Sequence, residues 1–343
     1  MSDSANPSIP YFDRSEWSGR TVLVTGAGGF IASHLVESLV DKGARVRAFV
    51  RYNSRGDPGL LALLAPQVLS QVEIVAGDLR DLSAVTAAMR GVSHVFHLGA
   101  LIAIPYSYLH PAEVVETNVI GAMNVFLAGR ELGVSRIVHT STSEVYGTAL
   151  RVPIDEDHPL QGQSPYSASK IGADKLAESF YRSFNLPVVI LRPFNTYGPR
   201  QSARAVIPTI ISQALTRPVV QLGSLDTRRD LTYVADTVAG FLRVAEIPGV
   251  EGETFNLGSG SEVTVGDLAH AIIAIIGRPV EIILDPARLR PQKSEVQRLL
   301  SDNRKAAARL GWQPQVSLDE GLRCTIAWVT HNLDRYHPEQ YTV

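Results

Sequence analysis

The chain has 343 residues, of which 45% are hydrophobic and 19% charged, as in an ordinary soluble globular protein of one large domain or two fused ones. The net charge of −2 argues against nucleic acid or an anionic membrane as a partner. Cys324 is the only cysteine, which excludes an internal disulfide and a cysteine-based zinc site. The segment before Trp17 lacks the apolar core of a signal peptide, and no apolar run approaches the ~18 residues of a membrane-spanning helix, so we expect a cytoplasmic protein.

The first half of the chain alternates short apolar strands with amphipathic helices. The predicted strands are Arg20–Thr25, Arg45–Val50, Val72–Ala76, Val92–Leu98, Arg136–Ser141 and Pro187–Arg192. The predicted helices are Phe30–Lys42, Asp81–Arg90, Pro111–Leu132 and Tyr166–Phe184. Because the strands are apolar on both faces and alternate with helices, we predict an α/β fold built on a Rossmann-type doubly wound parallel sheet.

Two flanking regions differ from this alternating part. In the N-terminal arm, Pro7 and Pro10 oppose regular structure. After Arg192, proline and glycine become frequent and the strands short, which indicates a smaller, mixed α/β C-terminal substrate lobe. The predicted parts are the arm (1–18), the Rossmann domain (19–193, with 231–257 as a candidate to return to it) and the lobe (194–230 and 258–343). The later elements are predicted as a helix at Leu231–Glu246 and a strand at Thr254–Leu257. The lobe is completed by elements at Val263–Gly277, Val280–Leu284, Ser301–Leu310 and Leu318–Val329.

A glycine-rich turn, Thr25-Gly-Ala-Gly-Gly-Phe-Ile31, joins the first strand to the first helix. Gly26 permits a tight turn, Gly29 lets the backbone approach a pyrophosphate at the positive helix end, and Ala32 lets helix and strand pack closely. A strand before the glycines and a helix after them favour a dinucleotide site over a turn without a ligand. The residues assigned to this site are Gly26, Gly28, Gly29, Phe30 and Ile31.

The end of the second strand normally selects between NAD and NADP, because an acid there binds the adenosine ribose and favours NAD. Here the strand is followed by Arg51, with Arg55 nearby and no acid at the strand end. A cation suits a 2′-phosphate, so we predict an NAD(P) site that slightly favours NADP; the alternative is that Arg51 is a surface arginine. Asp78 and Leu79, after the third strand, are placed to meet the adenine.

A tyrosine and a lysine in Tyr166-Ser-Ala-Ser-Lys170 lie four residues apart, on one face of a predicted helix. A nearby cation lowers a phenol pKa, so we expect Tyr166 to act as a general base. Thr142 follows the fifth strand, where its hydroxyl can hold a substrate oxygen. The glycine turn and the intervening Thr-Ser-Glu make this Tyr-Lys pair a specific signal.

Together these residues resemble the extended short-chain dehydrogenase/reductase family, which contains the nucleotide-sugar epimerases and dehydratases. The resemblance runs from Thr21 to about Trp312. Its landmarks are Thr25-Gly-Ala-Gly-Gly-Phe-Ile31, Gly77-Asp78-Leu79, His97-Leu98-Gly99-Ala100, Asn118, Tyr146-Gly147, Tyr166 with Lys170, and Arg192-Pro-Phe-Asn-Thr-Tyr-Gly-Pro199. The resemblance implies that Lys170 also contacts the nicotinamide ribose and that the stretch from His97 to Ala100, with Leu98 and Ala100, lines the cofactor.

The two residues after the expected catalytic threonine indicate which reaction of that family the chain resembles most. Many 4,6-dehydratases carry Thr-Asp-Glu here, whereas this chain has Thr142-Ser143-Glu144. The GDP-mannose 4,6-dehydratases have a similar Thr-Ser-Glu, an arginine after the second strand, and use NADP. The stretches Val46–Ser54 and Gln161–Lys175 most resemble the 4,6-dehydratases of the legionaminic acid pathway, which act on nucleotide-activated N-acetylglucosamine.

This resemblance implies a three-step reaction. Tyr166 takes the C4 hydroxyl proton while C4 is oxidised, Glu144 removes the C5 proton, and water leaves from C6, to which the hydride returns. Glu144 is also a candidate to protonate the leaving hydroxyl, whereas Ser143 can only relay a proton. The plain alternative for Glu144 is a carboxylate that caps a turn or forms a salt bridge.

The resemblance also places the nucleotide in the C-terminal lobe. Asn195 matches a residue that meets the substrate diphosphate, and Arg229 and Arg290 match arginines that hold phosphate or ribose, a task suited to a guanidinium. Val206-Ile207-Pro208 is expected to flank the base. The family commonly has Gly-Asp where this chain has Ser294-Glu295, which puts ribose recognition in doubt.

Other functions stay open on the sequence. UDP-glucuronate decarboxylases also carry Ser-Glu-Val-Tyr-Gly, although their sequence around the catalytic tyrosine differs. An NDP-sugar 4-epimerase needs no acid at Glu144. A catalytically silent dinucleotide-binding scaffold does not need the intact Thr142, Tyr166 and Lys170.

Two further expectations concern metals and oligomers. The histidines are isolated and lack metal-ligand spacing, so we predict no metal. We expect a homodimer, in which Pro111–Leu132 and Tyr166–Phe184 form a four-helix bundle as in relatives. The alternative for these helices is that they only cover the sheet.

Overall fold

Residues 16–336 are described by a computed structural model, so most of the predicted arm, residues 1–15, lies outside the described range. A seven-stranded parallel sheet in the order β10-β6-β5-β4-β1-β2-β3 forms the centre, with two small sheets beside it. The strands, numbered in chain order, are β1 (Thr21–Thr25), β2 (Arg45–Arg51), β3 (Val72–Gly77), β4 (His94–His97), β5 (Arg136–Thr140), β6 (Val188–Pro193), β7 (Asn195–Tyr197), β8 (Val219–Leu222), β9 (Arg228–Tyr233), β10 (Thr254–Leu257), β11 (Glu262–Thr264), β12 (Glu281–Leu284) and β13 (Arg298–Leu299).

Helices cover both faces of the central sheet. The helices of the described residues, some of which belong to the smaller lobe, are α1 (Phe30–Asp41), α2 (Pro66–Leu69), α3 (Leu82–Met89), α4 (Ile104–Leu109), α5 (Pro111–Val115), α6 (Gly121–Leu132), α7 (Pro165–Phe184), α8 (Val206–Thr216), α9 (Val234–Glu246), α10 (Val265–Ile276), α11 (Arg304–Leu310) and α12 (Leu318–His331). Short 3-10 turns occur at Gly59–Leu63, Ser143–Tyr146, Pro286–Arg288 and Leu333–Arg335. The strand order 3-2-1-4-5-6, with β10 added beside β6, reverses between β1 and β4, where ligands of such sheets bind at the carboxyl ends of the strands.

Alternation along β1 shows how both faces are buried. Val22 and Val24 pack into the cluster that contains α1 and α9, whereas Leu23 packs into the cluster that contains α3, α6 and α7. Trp17 joins the first cluster with 0% exposure, and its Nε1 donates to Oε1 of Glu246 at 2.7 Å. The last residues of the predicted arm are therefore anchored in the core.

The predicted helix Pro111–Leu132 is interrupted by a π-helical turn at Glu116–Ile120. The wider turn directs Asn118 inwards, where its Oδ1 accepts from the N–H of Leu101 at 2.8 Å and its Nδ2 donates to Oγ of Ser169 at 2.9 Å. Asn118 thus ties the loop after β4 to α7.

The smaller lobe is built around β9, which pairs with β7, β11 and β13, while β8 pairs with β12. The prediction of a helix from Leu231 is wrong, because residues 231–233 complete β9 and Tyr233 is extended, so that α9 begins at Val234. Ser301 likewise forms a bridge to Ile154, and α11 begins only at Arg304. At residues 231–233, tertiary strand pairing overrides a local pattern that suits a helix as well as a strand.

Within residues 16–336, no helix is long and apolar enough to cross a membrane. The same part of the chain has no group of three or more His, Cys, Asp or Glu side chains arranged to hold a metal ion.

Candidate active site

The glycine turn between β1 and α1 is closely approached by two other backbone segments. Gly26 has a φ of +65°, and a Cβ on it would lie 2.6 Å from Cα of Gly99 in the loop after β4. A Cβ on Gly28 would lie 2.7 Å from the carbonyl oxygen of Pro58. Gly29 is exposed on the outer side of the turn. The turn therefore needs glycine at the first two positions for packing, and the third leaves backbone accessible to a ligand.

The N-terminus of α1 fits a dinucleotide pyrophosphate. Gly29 is the N-cap residue, no side chain caps the helix, and its first turn carries no acidic residue. The first N–H groups of a helix lack intrahelical partners and carry a partial positive charge. Phe30 and Ile31, both half-buried, form this first turn. An anion here meets oriented donors without a competing carboxylate.

Thr25 joins the glycine turn to the loop after β4. Its Oγ1 lies 2.8 Å from Nδ1 of His97 and accepts from the N–H of Gly99 at 3.1 Å. Burial holds the pKa of His97 well below its usual value, so the imidazole is neutral at pH 7. Leu98 and Ala100, predicted to line the cofactor, are half-buried on either side of Gly99.

The residues predicted to meet the adenosine half lie at the ends of β2 and β3. The Arg51 side chain is 66% exposed and lies 3.3 Å from Glu113 (Nη2 to Oε1). Both carboxylate oxygens of Asp78 accept from Arg80, at 3.0 and 2.7 Å, which lowers the pKa of Asp78. Leu79 is buried beside them. The sequence alone does not reveal Glu113 and Arg80 as partners of these residues, because the pairing depends on which helix and loop lie next to the strand ends.

Three predicted catalytic residues meet at the end of β5. Helix α7 begins with a capping box at Ser164, which sets the first turn that carries Tyr166. The Thr142 side chain interacts with the Tyr166 phenol and opposes the rise of its pKa. Thr142 also caps the turn Ser143–Tyr146 and accepts from the N–H of Glu144 at 3.2 Å. One helix turn beyond Tyr166, Nζ of Lys170 donates to the carbonyl oxygen of Thr140 at 2.6 Å.

Burial controls the proton affinities of the Tyr-Lys pair. It raises the pKa of Tyr166, the charge of Glu144 raises it further, and the interaction with Thr142 opposes both. Burial also lowers the pKa of Lys170 to about 8. The expected lowering of the phenol pKa by a nearby cation is wrong as a net direction, because desolvation of the buried phenolate dominates.

Glu144 is close enough for its charge to act on both the predicted catalytic phenol of Tyr166 and Arg229 of the smaller lobe. It is half-buried in the turn after Thr142, next to the buried Ser143. Its negative charge raises the pKa of Tyr166 and opposes the lowering that burial causes in the pKa of Arg229. The charge of Glu144 thus acts on one residue from each half of the chain, Tyr166 and Arg229.

Arg229 and Arg290, the arginines predicted for the nucleotide, converge on Glu295. Nη2 of the mostly buried Arg229 donates to Oε1 of Glu295 at 3.1 Å, and Nη1 of Arg290 lies 3.8 Å from the same oxygen. Oγ of Ser294 donates to the carbonyl oxygen of Gln163 at 2.6 Å and fixes this loop near the start of α7. The two residues that depart from the family's Gly-Asp therefore have defined contacts.

The remaining substrate predictions fall on β7 and α8. Oδ1 of Asn195 is buried and has no hydrogen-bond partner among residues 16–336, so its amide retains unused bonding capacity. Val206 begins α8 and is half-buried, whereas Ile207 and Pro208 are buried. Within that stretch, Val206 is the side chain accessible to a base.

The chain is similar to nucleotide-sugar enzymes along most of its length. The family described as GDP-mannose 4,6 dehydratase matches residues 23–325. The UDP-glucose 4-epimerase of Mycolicibacterium smegmatis is 34% identical over 311 residues, covering 89% of this chain and 96% of that protein. The dTDP-glucose 4,6-dehydratase of Streptomyces antibioticus is 33% identical over 320 residues, covering 92% and 94%.

The fold of this chain is also similar to that of a solved structure. DesIV, a dTDP-glucose 4,6-dehydratase from Streptomyces venezuelae with NAD and TYD bound, superposes with a TM-score of 0.83 at 31% identity, covering 93% of this chain and 100% of that one. This likeness confirms the predicted Rossmann-type α/β fold. The relatives include both dehydratases and epimerases, so similarity alone does not separate these two reactions.

Proposed function

Because the chain belongs to the extended short-chain dehydrogenase/reductase family of nucleotide-sugar dehydratases and epimerases, we propose that it is a nucleotide-sugar 4,6-dehydratase. Its product would be a 4-keto-6-deoxy sugar. The proposed donor is an NDP-N-acetylglucosamine or a related NDP-hexose, by the resemblance of the sequence around β2 and α7.

The observation that carries the proposal is the position of Glu144. A 4-epimerase only oxidises C4 and reduces it again, so it needs no second acid or base beside the threonine. A dehydratase must also remove the C5 proton, which a ketone at C4 makes acidic. Glu144 lies two residues after Thr142, in the short turn that Thr142 caps, and its charge acts on Tyr166. A carboxylate at this place is suited to act as a base on the carbon next to C4.

The proposed role of Tyr166 is to take the proton of the C4 hydroxyl, while Thr142 holds the same oxygen by a hydrogen bond. The protonated Lys170 and a bound nicotinamide favour the phenolate, against the burial that raises the pKa of Tyr166. A nicotinamide dinucleotide, when bound, supplies a positively charged ring that accepts one hydride from the sugar and later returns it.

Glu144 then takes the C5 proton, and the C6 hydroxyl leaves as water after it receives a proton, from Glu144 itself or relayed by Ser143. The resulting C5–C6 double bond is conjugated with the C4 ketone. The two electrons removed at C4 return at C6, and C5 regains a proton. The net change is the loss of one water, with no net oxidation of the sugar.

For the cofactor, the fit of the glycine turn and the α1 N-terminus supports a nicotinamide dinucleotide, as does the NAD bound to DesIV. We propose a preference for NADP on the basis of Arg51, which ends β2 with an exposed guanidinium. Glu113 competes for that guanidinium, so the preference is expected to be small.

For the nucleotide, we propose that Asn195 and the pair Arg229 and Arg290 bind the diphosphate and ribose, with Val206 beside the base. The buried setting of Arg229 supports this role, because a charge-assisted hydrogen bond is strengthened where water is excluded. We also propose a homodimer that joins α5, α6 and α7 of two copies. The exposed apolar side chains Leu109, Val115 and Ile120 on this side of the chain support it.

A 4-epimerase is the second candidate, favoured by the 34% identity to the mycolicibacterial UDP-glucose 4-epimerase. Mass spectrometry of the protein incubated with UDP-N-acetylglucosamine, GDP-N-acetylglucosamine, GDP-mannose, dTDP-glucose and UDP-glucuronate separates the candidates. Loss of the mass of one water from a donor supports the dehydratase, and the Tyr166→Phe variant should abolish it. Loss of carbon dioxide from UDP-glucuronate would establish a decarboxylase instead. An unchanged mass with inverted C4 would establish an epimerase.

A further inference from the structure

Helix α7 carries a third ionisable residue on the face that bears the catalytic pair. Tyr166, Lys170 and Asp174 are spaced four residues apart, so their side chains lie in one row along the helix. The Asp174 side chain is 1% exposed. A carboxylate that deep in a protein is unfavourable unless charged or polar partners surround it.

Asp174 finds those partners on the strands that end at the active site. Its Oδ2 accepts from Oγ of Ser141 at 2.8 Å, and from Nε and Nη2 of Arg192 at 3.1 and 3.0 Å. Its Oδ1 lies 3.4 Å from Nε2 of His139. Ser141 directly precedes Thr142, so Asp174 fixes the backbone from which the substrate-binding hydroxyl projects.

Lys170 holds the neighbouring residue of the same strand end. Its Nζ donates to the carbonyl oxygen of Thr140, and Asp174 binds the next residue, Ser141. Two residues one helix turn apart therefore bind two consecutive residues at the end of β5. This arrangement sets the distance between Tyr166 and Thr142 from behind the site, without any contact to substrate.

Asp174 is the negatively charged group that favours the protonated form of Lys170. The groups facing this region are His97 from β4, His139 from β5, Arg192 from β6, Tyr166 and Asp174 from α7, and Glu144 from the turn after Thr142. Burial lowers the pKa of both histidines, so they are neutral at pH 7. Among residues 16–336, Asp174 is the group whose charge opposes the lowering of the Lys170 pKa by burial.

We propose that Asp174 is a positioning residue of the reaction, which holds the end of β5 against α7 and keeps the ammonium of Lys170 protonated beside Tyr166. This inference rests on the proposed function for its catalytic consequence. The effect of the Asp174 charge on the titration of Lys170 involves only this chain's own residues and can be measured without any substrate.

Asp174→Asn is the informative variant, because asparagine keeps the shape and one acceptor oxygen but removes the charge. The pKa of Lys170, about 8 in the wild type, should fall by on the order of one unit. Activity depends on the charged lysine and is lost as pH rises through that pKa, so the alkaline limb of kcat should move to lower pH by the same amount. KM for the sugar should stay within about twofold, since Asp174 touches no predicted substrate-binding residue.

Glu178→Gln is the matched control. It removes a carboxylate from the same helix one turn further on, where Glu178 forms surface pairs with Lys175 at 2.8 Å and Arg182 at 2.9 Å. Exposed pairs of this kind contribute little, so the Lys170 titration should not change. The single variant leaves Arg192 buried without its partner, which can prevent folding. In that case the double variant Asp174→Asn with Arg192→Gln, which removes both charges of the buried pair, is titrated instead.

The test is NMR titration of full-length protein labelled with 13C in its lysines. The five lysines are Lys42, Lys170, Lys175, Lys293 and Lys305. The Lys170 signal is identified by its loss in Lys170→Met. A lower titration midpoint in the Asp174 variants, unchanged in Glu178→Gln, supports the inference; an unchanged midpoint in the Asp174 variants overturns it. If the Asp174 variants show the lower midpoint but the wild-type protein converts no nucleotide sugar, the proposed function is refuted and this electrostatic link is not.

Discussion

Gly26→Ala measures how strongly the glycine turn depends on backbone contact beneath the predicted cofactor site. The substitution has two separable costs. A φ of +65° strains any residue with a Cβ by about 1–2 kcal/mol. The new Cβ would also lie 2.6 Å from Cα and 2.8 Å from N of Gly99, which are backbone atoms that cannot rotate away, and relieving such overpacking costs about 1–3 kcal/mol more. The expected loss in the free energy of unfolding is therefore about 2–5 kcal/mol.

Gly133→Ala is the control that separates the two costs. Gly133 has a φ of +64° at the end of α6, and an added Cβ there meets nothing within 4 Å. It should lose only the strain, about 1–2 kcal/mol, in urea unfolding. Fluorescence titration should show weaker NAD(P) binding for Gly26→Ala, roughly tenfold for each 1.4 kcal/mol expressed at the site, and unchanged binding for Gly133→Ala. Equal destabilisation of the two variants would show that the contact with Gly99 adds no cost. Unaltered cofactor affinity in Gly26→Ala would show that the turn does not support the cofactor site.

Three further predictions concern other parts of the chain. Glu144→Gln should slow dehydration by about 10²–10⁴-fold while reduced cofactor accumulates, because oxidation at C4 does not use Glu144; absorbance of the reduced nicotinamide checks this, and a fully active variant would contradict it. Arg51→Asp should shift the ratio of NADP to NAD affinity towards NAD by about tenfold or more in paired binding titrations, and an unaltered ratio would remove Arg51 from cofactor selection. Trp17→Ala should lower the free energy of unfolding by about 3–5 kcal/mol, whereas the exposed Ser18→Ala should change it by less than about 0.5 kcal/mol; similar values for the two would contradict the burial of Trp17.

The alternation of strands and helices was predictable because each of these segments carries its own periodic apolar pattern. The glycine turn and the Tyr166-x-x-x-Lys170 pair were also visible, since each depends on spacing within one short segment. The π-helical turn at Glu116–Ile120 was not, because it exists to direct Asn118 towards a distant loop and helix. The start of α9 was misplaced for a similar reason, since residues 231–233 are apolar enough for either structure and pairing with β7 decides.

In the candidate site, too, features set by one short segment were predictable and features set by distant contacts were not. Sequence spacing located Thr142 and Glu144, but not the ion pair of Arg229 with Glu295, which joins residues far apart in the chain. The direction of the Tyr166 pKa was also wrong from sequence, because it depends on burial rather than on the charge of the neighbouring lysine. Asp174 had a readable signal, the continuation of the Tyr-Lys spacing by one more turn, but its partners on β5 and β6 appear only in the folded chain.

The most direct test of the proposed reaction follows an isotopic label through one turnover. The donor carries deuterium at C4 of the sugar, the wild-type enzyme converts it in ordinary water, and NMR locates the label in the product. The expected product is a 4-keto-6-deoxy sugar with the deuterium at C6, because the hydride removed at C4 returns within the same active site. Deuterium retained at C4 with inverted configuration, or a product without a C6 methyl group, would contradict the proposed reaction.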